Sequence, residues 1–230
     1  EGLVRNHEKE YYTKERKENA VVKDGFLYIT GIKEHYRNAA YKPGSASWET
    51  KDSIADYTSA SINTQGKASW KYGKIQVRAK LPAGKGVWPA IWMLGDNISK
   101  VGWPECGEID IMEHVGYKKD TVFGTVHTGA YNHVKGTQKG IEALIKNPYN
   151  QFHTFAIEWT PEKIDFLLDG EQFYHFSNEH KTDAEWPFDK PFFLLLNMAI
   201  GGNLGGQKGI DDSIFPATFE IDYVRVYQVK

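Results

Sequence analysis

The segment 103–116 carries three carboxylic acids at a spacing suited to acid–base and nucleophilic chemistry. If this segment is a β-strand, Glu108 and Asp110 point to the same face, because side chains two residues apart share a face. Glu113 has the opposite parity and joins them only if the strand accommodates one extra residue. We therefore predict a β-bulge around residues 111–112.

Two glutamates whose carboxyl groups lie about 5–5.5 Å apart are typical of hydrolysis of a glycosidic bond with retention of configuration. One must be ionised to attack the anomeric carbon, and the other must hold a proton for the leaving oxygen and later activate water. Asp110 lies between them and can keep their two pKa values apart through a hydrogen bond. The alternative is a solvated strand face, but that arrangement gains nothing from crowding like charges.

The elements that position these acids are predicted to be strands, because period-2 alternation dominates the chain and helical periodicity is almost absent. We predict strands at 20–22, 26–30, 57–64, 72–81, 87–94, 108–115, 121–128, 152–159, 163–168, 171–176, 192–199 and 218–228. Asp-Gly pairs at 24–25 and 169–170 predict two tight hairpins. This pattern predicts an all-β fold, a two-sheet antiparallel sandwich of jelly-roll type with a concave cleft.

The remaining segments divide into one helical candidate and three loops. Residues 141–146 are the helical candidate and are short enough to be a turn. Segments 36–56, 132–150 and 177–189 are expected to form loops on the cleft rim. No linker or repeat divides the chain, so residues 1–230 are predicted to form one domain.

Composition excludes several classes of function. With 28 Lys and Arg against 30 Asp and Glu, the chain lacks the basic surface that nucleic-acid or membrane-surface binding requires. It has no apolar run long enough for membrane insertion. Cys106 is the only cysteine, so an intrachain disulfide and a Cys-based zinc or iron–sulfur site are excluded. The aromatic content of 14% favours a sugar-binding surface with flat apolar faces.

Aromatic residues near the acids are candidates for substrate binding. Trp103 precedes Glu108 by five residues and is expected to stack on a sugar next to the cleaved bond, with a buried packing role as the alternative. Trp88 and Trp92 share one face of their strand and are candidates for the cleft floor, with core packing as the alternative. His127 lies on the next predicted strand, where it can tune a carboxylate or be a structural histidine.

Other ionisable residues are given no catalytic role. The acidic cluster Asp165, Asp169 and Glu171 is explained by hairpin chemistry. The remaining histidines, including His114 and His133, show no metal-ligand spacing and are predicted to be surface or loop residues.

The segment 103–116, with Glu-Ile-Asp-Ile-Met-Glu at its centre, resembles the active-site signature of glycoside hydrolase family 16. It is similar to the branch with the extra bulge residue, as in bacterial laminarinases and endo-β-1,3(4)-glucanases. Segments 6–13, 57–64, 72–94, 122–128, 197–206 and 219–228 resemble family blocks in the same order.

The resemblance implies Glu108 as nucleophile, Asp110 as its modulator and Glu113 as general acid/base. It also places Asn6 and Asn197 in the cleft, where neutral amides bind sugar hydroxyls, with turn or backbone capping as the alternative.

The chain departs from the family pattern at three places. It starts almost at the segment 6–13, so either the sequence is trimmed or the family's usual first strand and acidic loop are absent. That loop would complete a structural calcium site with Asp222, so calcium is expected only if the site survives, and no cofactor is expected to be required. Leu204 stands where many relatives have Trp, which is expected to weaken an outer sugar contact.

These observations predict a retaining endo-β-glucanase that acts as a monomer on β-1,3-glucan or mixed-linkage β-1,3/1,4-glucan. We expect a secreted, periplasmic or cell-surface protein, because polymeric glucan does not enter a cytoplasm. One alternative is a hydrolase of a sulfated red-algal galactan, which the near-neutral charge disfavours. The other is a non-catalytic lectin-like module on the same architecture, which has no need for two glutamates at this spacing.

Overall fold

The computed structural model describes residues 1–228 and consists almost entirely of β-strands. The strands are β1 (Glu10–Tyr12), β2 (Ala20–Lys23), β3 (Phe26–Arg37), β4 (Ile54–Ser59), β5 (Ser61–Asn63), β6 (Gly73–Lys80), β7 (Val87–Gly95), β8 (Glu108–Glu113), β9 (Thr121–His127), β10 (Lys139–Leu144), β11 (His153–Trp159), β12 (Lys163–Leu168), β13 (Glu171–Ser177), β14 (Phe192–Ile200) and β15 (Ala217–Tyr227). Single helical turns occur at α1 (Ile98–Val101) and α2 (Gly202–Gly205), and a 3-10 helix covers Asp212–Ile214. Within residues 1–228, no helix has the length and apolarity needed to cross a bilayer.

The strands form two sheets that pack face to face. The nine-stranded sheet has the order β1-β4-β3-β15-β6-β11-β12-β13, with β2 paired to β3. The six-stranded sheet has the order β10-β9-β8-β7-β14-β5, and its pairs are antiparallel. Ile75 and Ile157 of the first sheet pack with Ile91 and Ile109 of the second in one buried cluster. The predicted all-β sandwich is confirmed.

The six-stranded sheet has a second face that carries the candidate site. Along β7, Ile91 and Met93 point into the sandwich core, whereas Trp88 and Trp92 belong to separate clusters on the opposite face. Both faces of β7 and β14 are covered, and every residue of these strands is buried. This double burial explains why their sequences are almost continuously apolar.

Both predicted Asp-Gly hairpins are confirmed. Asp24 and Gly25 join β2 to β3 with φ angles of 52° and 85°. Asp169 and Gly170 join β12 to β13 with φ angles of 52° and 89°. Two consecutive residues with positive φ are what a type I′ turn requires, and Asp-Gly meets that requirement.

The predicted helix at residues 141–146 is wrong. Residues 141–144 belong to β10, which pairs with β9 from Lys139 opposite Val126 to Leu144 opposite Thr121. β10 is an edge strand in which only Ala143 is partly buried, so no apolar alternation marks it in the sequence. Its strand conformation follows from backbone pairing with β9, and a helix of six residues would be marginal by itself.

Candidate active site

The outer face of the six-stranded sheet holds a cavity of about 940 Å³. The structure brings all nine predicted cleft residues to its walls: Asn6, Trp88, Trp92, Trp103, Glu108, Asp110, Glu113, His127 and Asn197. β7, β8, β9, β10 and β14 contribute side chains, together with residues 4–8 and 203–207. The sandwich therefore gathers residues that are almost two hundred positions apart into one site.

A β-bulge in β8 places the three acids on the cavity side. Asp110 pairs with Thr125 and Glu113 with Phe123, so three steps along β8 match two steps along β9. Ile111 is the inserted residue, and its side chain is buried in the sandwich core. The predicted bulge is confirmed, and without it Glu113 would point into the core.

Each glutamate accepts a hydrogen bond from an indole. Trp103 Nε1 donates to Glu108 Oε2 at 2.8 Å, and Trp88 Nε1 donates to Glu113 Oε1 at 2.9 Å. Both tryptophans are therefore bonded to the acids themselves, a contact that the sequence analysis did not anticipate. An N–H donor stabilises the ionised form of the carboxylate that accepts it and fixes its orientation.

His127 lies beside Glu108 and Asp110, because it is the residue of β9 that pairs with Glu108 on β8. Its Nε2 atom is 3.3 Å from Asp110 Oδ2 and 3.7 Å from Glu108 Oε1. The shorter contact lacks hydrogen-bond alignment, so Asp110 Oδ2 and His127 Nδ1 have no hydrogen-bond partner within residues 1–228. Buried polar atoms without a hydrogen-bond partner are uncommon in folded proteins, and two of them lie together here beside the candidate nucleophile.

The buried position of the acids changes their protonation. Burial raises the pKa of Glu108 well above its ordinary value, and the negative charge of Asp110 adds to this effect. Burial and the charge of Glu113 likewise raise the pKa of Asp110. Burial also raises the pKa of Glu113, against the opposing effects of His127 and the Trp88 indole. The group therefore retains protons at a pH where isolated carboxyl groups are ionised, as a general acid requires.

Trp92 and Asn197 form a supporting set on the β14 side of the cavity. Trp92 Nε1 donates to Asn197 Oδ1 at 2.7 Å, and Asn197 Nδ2 donates to the Tyr12 hydroxyl at 2.9 Å. The Arg5 guanidinium lies over the rings of Trp92 and Tyr12, 5.0 and 5.1 Å from their centroids. The ring face of Trp92 is thus covered by a cation, and Asn197 is bonded to protein partners.

Asn6 combines a turn conformation with a position at the cavity. Its φ angle is 53°, and its carbonyl accepts from the Asn203 amide at 2.7 Å. Its side-chain Nδ2 donates to Glu8 Oε1 at 3.2 Å. Both readings of Asn6 from the sequence, a turn residue and a cleft residue, describe its place in the structure.

The prediction that the remaining histidines are surface or loop residues is wrong for His114 and for His153, which is buried within β11. His114 was expected at the surface or in a loop but is completely buried, with Nδ1 2.7 Å from the Thr121 carbonyl oxygen. His133 is an exposed loop residue, as predicted, yet it lines the cavity. Its ring lies 4.9 Å from that of Trp103 at an angle of 33° and 5.2 Å from that of His127.

Several other cavity residues were not assigned to the site from the sequence: Val4, Arg5, Glu8, Leu94, Ile98, Phe123, Thr125, Gln138, Gly140, Ile141, Glu142, Asn203 and Gln207. Of the three predicted rim loops, only 132–150 contributes lining residues within the described part of the chain. Segment 36–56 connects β3 to β4 in the other sheet, which explains its absence from the rim.

The residues around Asp222 do not fit a calcium site. Arg78 Nη1 donates to Asp222 Oδ2 at 2.6 Å, so a guanidinium already neutralises the carboxylate. In residues 1–228, the one group of three potential metal ligands is Glu108, Asp110 and His127, with ligand atoms within 4.8 Å of one another. Calcium prefers six to eight oxygen ligands, which neither place supplies.

The acidic cluster on β12 and β13 is separate from the cavity. Asp169 lies 2.6 Å from His153, and Asp165 lies 2.6 Å from Lys163 and 2.5 Å from His175. These acids are paired on the nine-stranded sheet, and a structural role accounts for them.

Comparison with known proteins identifies the family. The model of "Glycosyl hydrolases family 16" matches residues 8–225. A β-glucanase of Rhodothermus marinus is 48% identical over 230 residues, which cover 97% of this chain and 75% of that protein. The solved laminarinase structure from Rhodothermus marinus has a TM-score of 0.88 at 46% identity, covering 97% of this chain and 85% of that one.

A non-specific endo-β-1,3(4)-glucanase gives a similar result. A mutant of that enzyme, solved with a glucan oligosaccharide at its active site, has a TM-score of 0.87 at 44% identity. The match covers 97% of this chain and 83% of that chain. With the sandwich fold, the bulged strand and these matches, the chain belongs to glycosyl hydrolase family 16.

Proposed function

We propose that this chain is a retaining endo-β-glucanase that hydrolyses internal bonds of β-1,3-glucan or of mixed-linkage β-1,3/1,4-glucan. The observation that carries the proposal is the bulge in β8. It brings Glu108 and Glu113 to one cavity, where each accepts a hydrogen bond from its own indole. The similarity to a β-glucanase and to a non-specific endo-β-1,3(4)-glucanase supports the choice of substrate.

The reaction follows a double displacement. Glu108 attacks the anomeric carbon while Glu113 gives its proton to the leaving oxygen, which breaks the glycosidic bond and forms a glycosyl ester. Glu113, now ionised, takes a proton from water, and the resulting hydroxide attacks the same carbon and releases Glu108. Two inversions restore the original β configuration.

Asp110 is suited to act on Glu108 through a shared proton. The two carboxyl groups interact electrostatically, and burial raises the pKa of Asp110. A protonated Asp110 donates to ionised Glu108 and disperses its charge. Asp110 thus supports the nucleophile without becoming bonded to the sugar.

The cavity crosses the sheet in the direction an endo-acting enzyme needs. It extends from Gln138 and Gly140 at β10 to Asn197 on β14, with the acids on β8 between these ends. A polymer lying across the strands can therefore place sugar units on both sides of the reactive carbon. We also propose a monomer that requires no cofactor and works outside the cytoplasm, where polymeric glucan occurs.

Hydrolysis of laminarin, barley mixed-linkage glucan and agarose, followed by reducing-end assay and chromatography, tests the proposal. We expect short oligosaccharides from one or both glucans, none from agarose, and complete loss of activity in Glu108→Gln. Glu171→Gln, at an exposed hairpin glutamate outside the cavity, is the matched control and is expected to retain full activity. Cleavage of agarose alone, or sugar binding without turnover, would overturn the proposal.

A further inference from the structure

Arg5 occupies a position in the cavity that no sequence motif assigns. Its guanidinium lies over Trp92 and Tyr12, and Nη2 donates to Ser61 Oγ on β5 at 3.2 Å. Glu8 Oε1 is 3.8 Å from Nε, which is too long for a hydrogen bond but close enough to balance the charge. Ser61 accepts only one of the five N–H donors of a guanidinium, so donors remain for a ligand in the cavity.

The environment holds this guanidinium in a fixed orientation. Tyr12 and Trp92, on which it stacks, are both bonded to the same Asn197 amide. About one quarter of the Arg5 side chain is exposed, so the side chain is partly buried. A planar group that is already immobilised loses little conformational entropy when it binds a ligand.

Strand register places Arg5 next to the reactive acids. Trp92 pairs with Asp110 across β7 and β8, and adjacent strands lie about 4.8 Å apart. Ser61 pairs with Asn197, so the Arg5 side chain covers the region from β7 to β5. A sugar chain with its reactive carbon between Glu108 and Glu113 therefore places its next unit on this side against the guanidinium.

The charge of the cavity selects the chemistry that Arg5 can recognise. The cavity walls carry five acidic residues: Glu8, Glu108, Asp110, Glu113 and Glu142. Among the described residues that line the cavity, Arg5 is the only Arg or Lys. Glu8 already balances Arg5, so the cavity walls offer an anionic sugar no unpaired Arg or Lys, and the ionised nucleophile would repel it. Hydroxyl oxygens of a neutral sugar accept N–H donors without that repulsion.

We propose that Arg5 is a substrate-binding residue that donates hydrogen bonds to hydroxyl groups of the sugar unit on the β5 side of the scissile bond. This inference rests on the proposed glucanase function and adds a specific contact to it. Hydrogen bonds that involve a charged donor are stronger than neutral ones, so loss of Arg5 is expected to weaken binding of oligosaccharides that reach this position about tenfold.

Calorimetry with β-1,3-linked gluco-oligosaccharides of increasing length tests the proposal in a Glu108→Gln background, in which the ligand is not cleaved. Arg5→Met and Arg5→Lys are both expected to lose affinity, because neither offers a flat set of donors. Lys9→Met removes an exposed cation from the same segment, outside this cavity, and is expected to bind like its parent. Thermal melting of each variant checks that the fold is intact.

Each result separates a different explanation. If Arg5→Met loses affinity but Arg5→Lys does not, Arg5 only balances Glu8, and the proposal is overturned. Wild-type affinity in both variants also overturns it, as does preferential binding of a sulfated oligosaccharide. Failure of the unmodified enzyme to hydrolyse laminarin or mixed-linkage glucan would instead overturn the proposed function on which the inference rests.

Discussion

Replacement of the two indole donors separates the roles of the two glutamates. Trp103→Phe removes the N–H that donates to Glu108 at 2.8 Å and keeps an aromatic ring against His133. Trp88→Phe removes the equivalent donor to Glu113 at 2.9 Å. The two variants are matched, because each deletes one similar hydrogen bond and preserves a ring of similar shape.

The size of the effect follows from the hydrogen bond that is lost. A hydrogen bond to a charged group contributes about 1.5–3 kcal/mol, and about 1.36 kcal/mol corresponds to one pKa unit. Glu108 is only 15% exposed, so water replaces little of the lost interaction. Each donor stabilises the ionised carboxylate, and its removal is expected to raise the pKa of the glutamate it contacts by about 1–2 units.

The pH dependence of kcat/KM on a soluble glucan measures these changes. A nucleophile must be ionised, so its titration forms the acidic limb, whereas a general acid must be protonated and forms the basic limb. Trp103→Phe is expected to move the acidic limb to higher pH and narrow the profile. Trp88→Phe is expected to move the basic limb to higher pH and widen it. Because the three acids titrate together, each limb of the profile reports an apparent pKa of the group. The roles of the two glutamates are therefore assigned from which limb moves in each variant.

Two results would refute this reasoning. A shift of the basic limb in Trp103→Phe, with the acidic limb shifted in Trp88→Phe, would mean that Glu108 and Glu113 have exchanged roles. An unchanged profile with a raised KM in Trp103→Phe would mean that the indole acts mainly by stacking on the sugar.

Three further outcomes are expected. Burial and the neighbouring Glu8 raise the pKa of Glu10 well above its ordinary value. The free energy of unfolding therefore falls as pH rises from the ordinary pKa of a glutamate to the raised pKa of Glu10. Glu10→Gln should remove this pH dependence and raise the melting temperature at neutral pH by about 2 °C or more. His133→Ala should lower kcat/KM about 2- to 10-fold by releasing Trp103, and His133→Phe should restore most of it. The protein should have the same melting temperature with added calcium as with a chelator, because Arg78 already neutralises Asp222.

Each of these outcomes has a clear opposite. A steeper fall in melting temperature with pH in Glu10→Gln would mean that the carboxyl group is ionised in the fold. Equal loss of kcat/KM in the His133 alanine and phenylalanine variants would assign the effect to the imidazole. A melting temperature raised by calcium and lowered in Asp222→Asn would locate a calcium site at that residue.

The sequence was sufficient for the fold class, the family and the bulged acidic strand. Period-2 alternation identifies most strands, because one face of each packs into the sandwich core. The bulge was predictable because parity alone places Glu113 on the wrong face of β8. The Asp-Gly turns were predictable because few residue pairs adopt two positive φ angles.

Features set by tertiary contacts were not predictable. β10 is exposed on both faces, so its strand state depends on pairing with β9. His114 follows the bulge, where the altered direction of the chain turns its side chain inward to the Thr121 carbonyl. Arg5 reaches the cavity only because the N-terminal segment lies beside β14, with Glu8 paired to Gly201. None of these contacts leaves a periodic signal in the sequence.

Chemical rescue with azide tests the central claim, double displacement by Glu108 and Glu113, most directly. With an activated β-glucoside of sufficient length, Glu108→Ala with azide is expected to give the α-glycosyl azide, because azide replaces the missing nucleophile and displaces the leaving group once. Glu113→Ala is expected to give the β-glycosyl azide, because azide then attacks the glycosyl ester on Glu108. Nuclear magnetic resonance of the anomeric proton distinguishes the two products. The reverse pattern, or a single α product from both variants, would contradict the account.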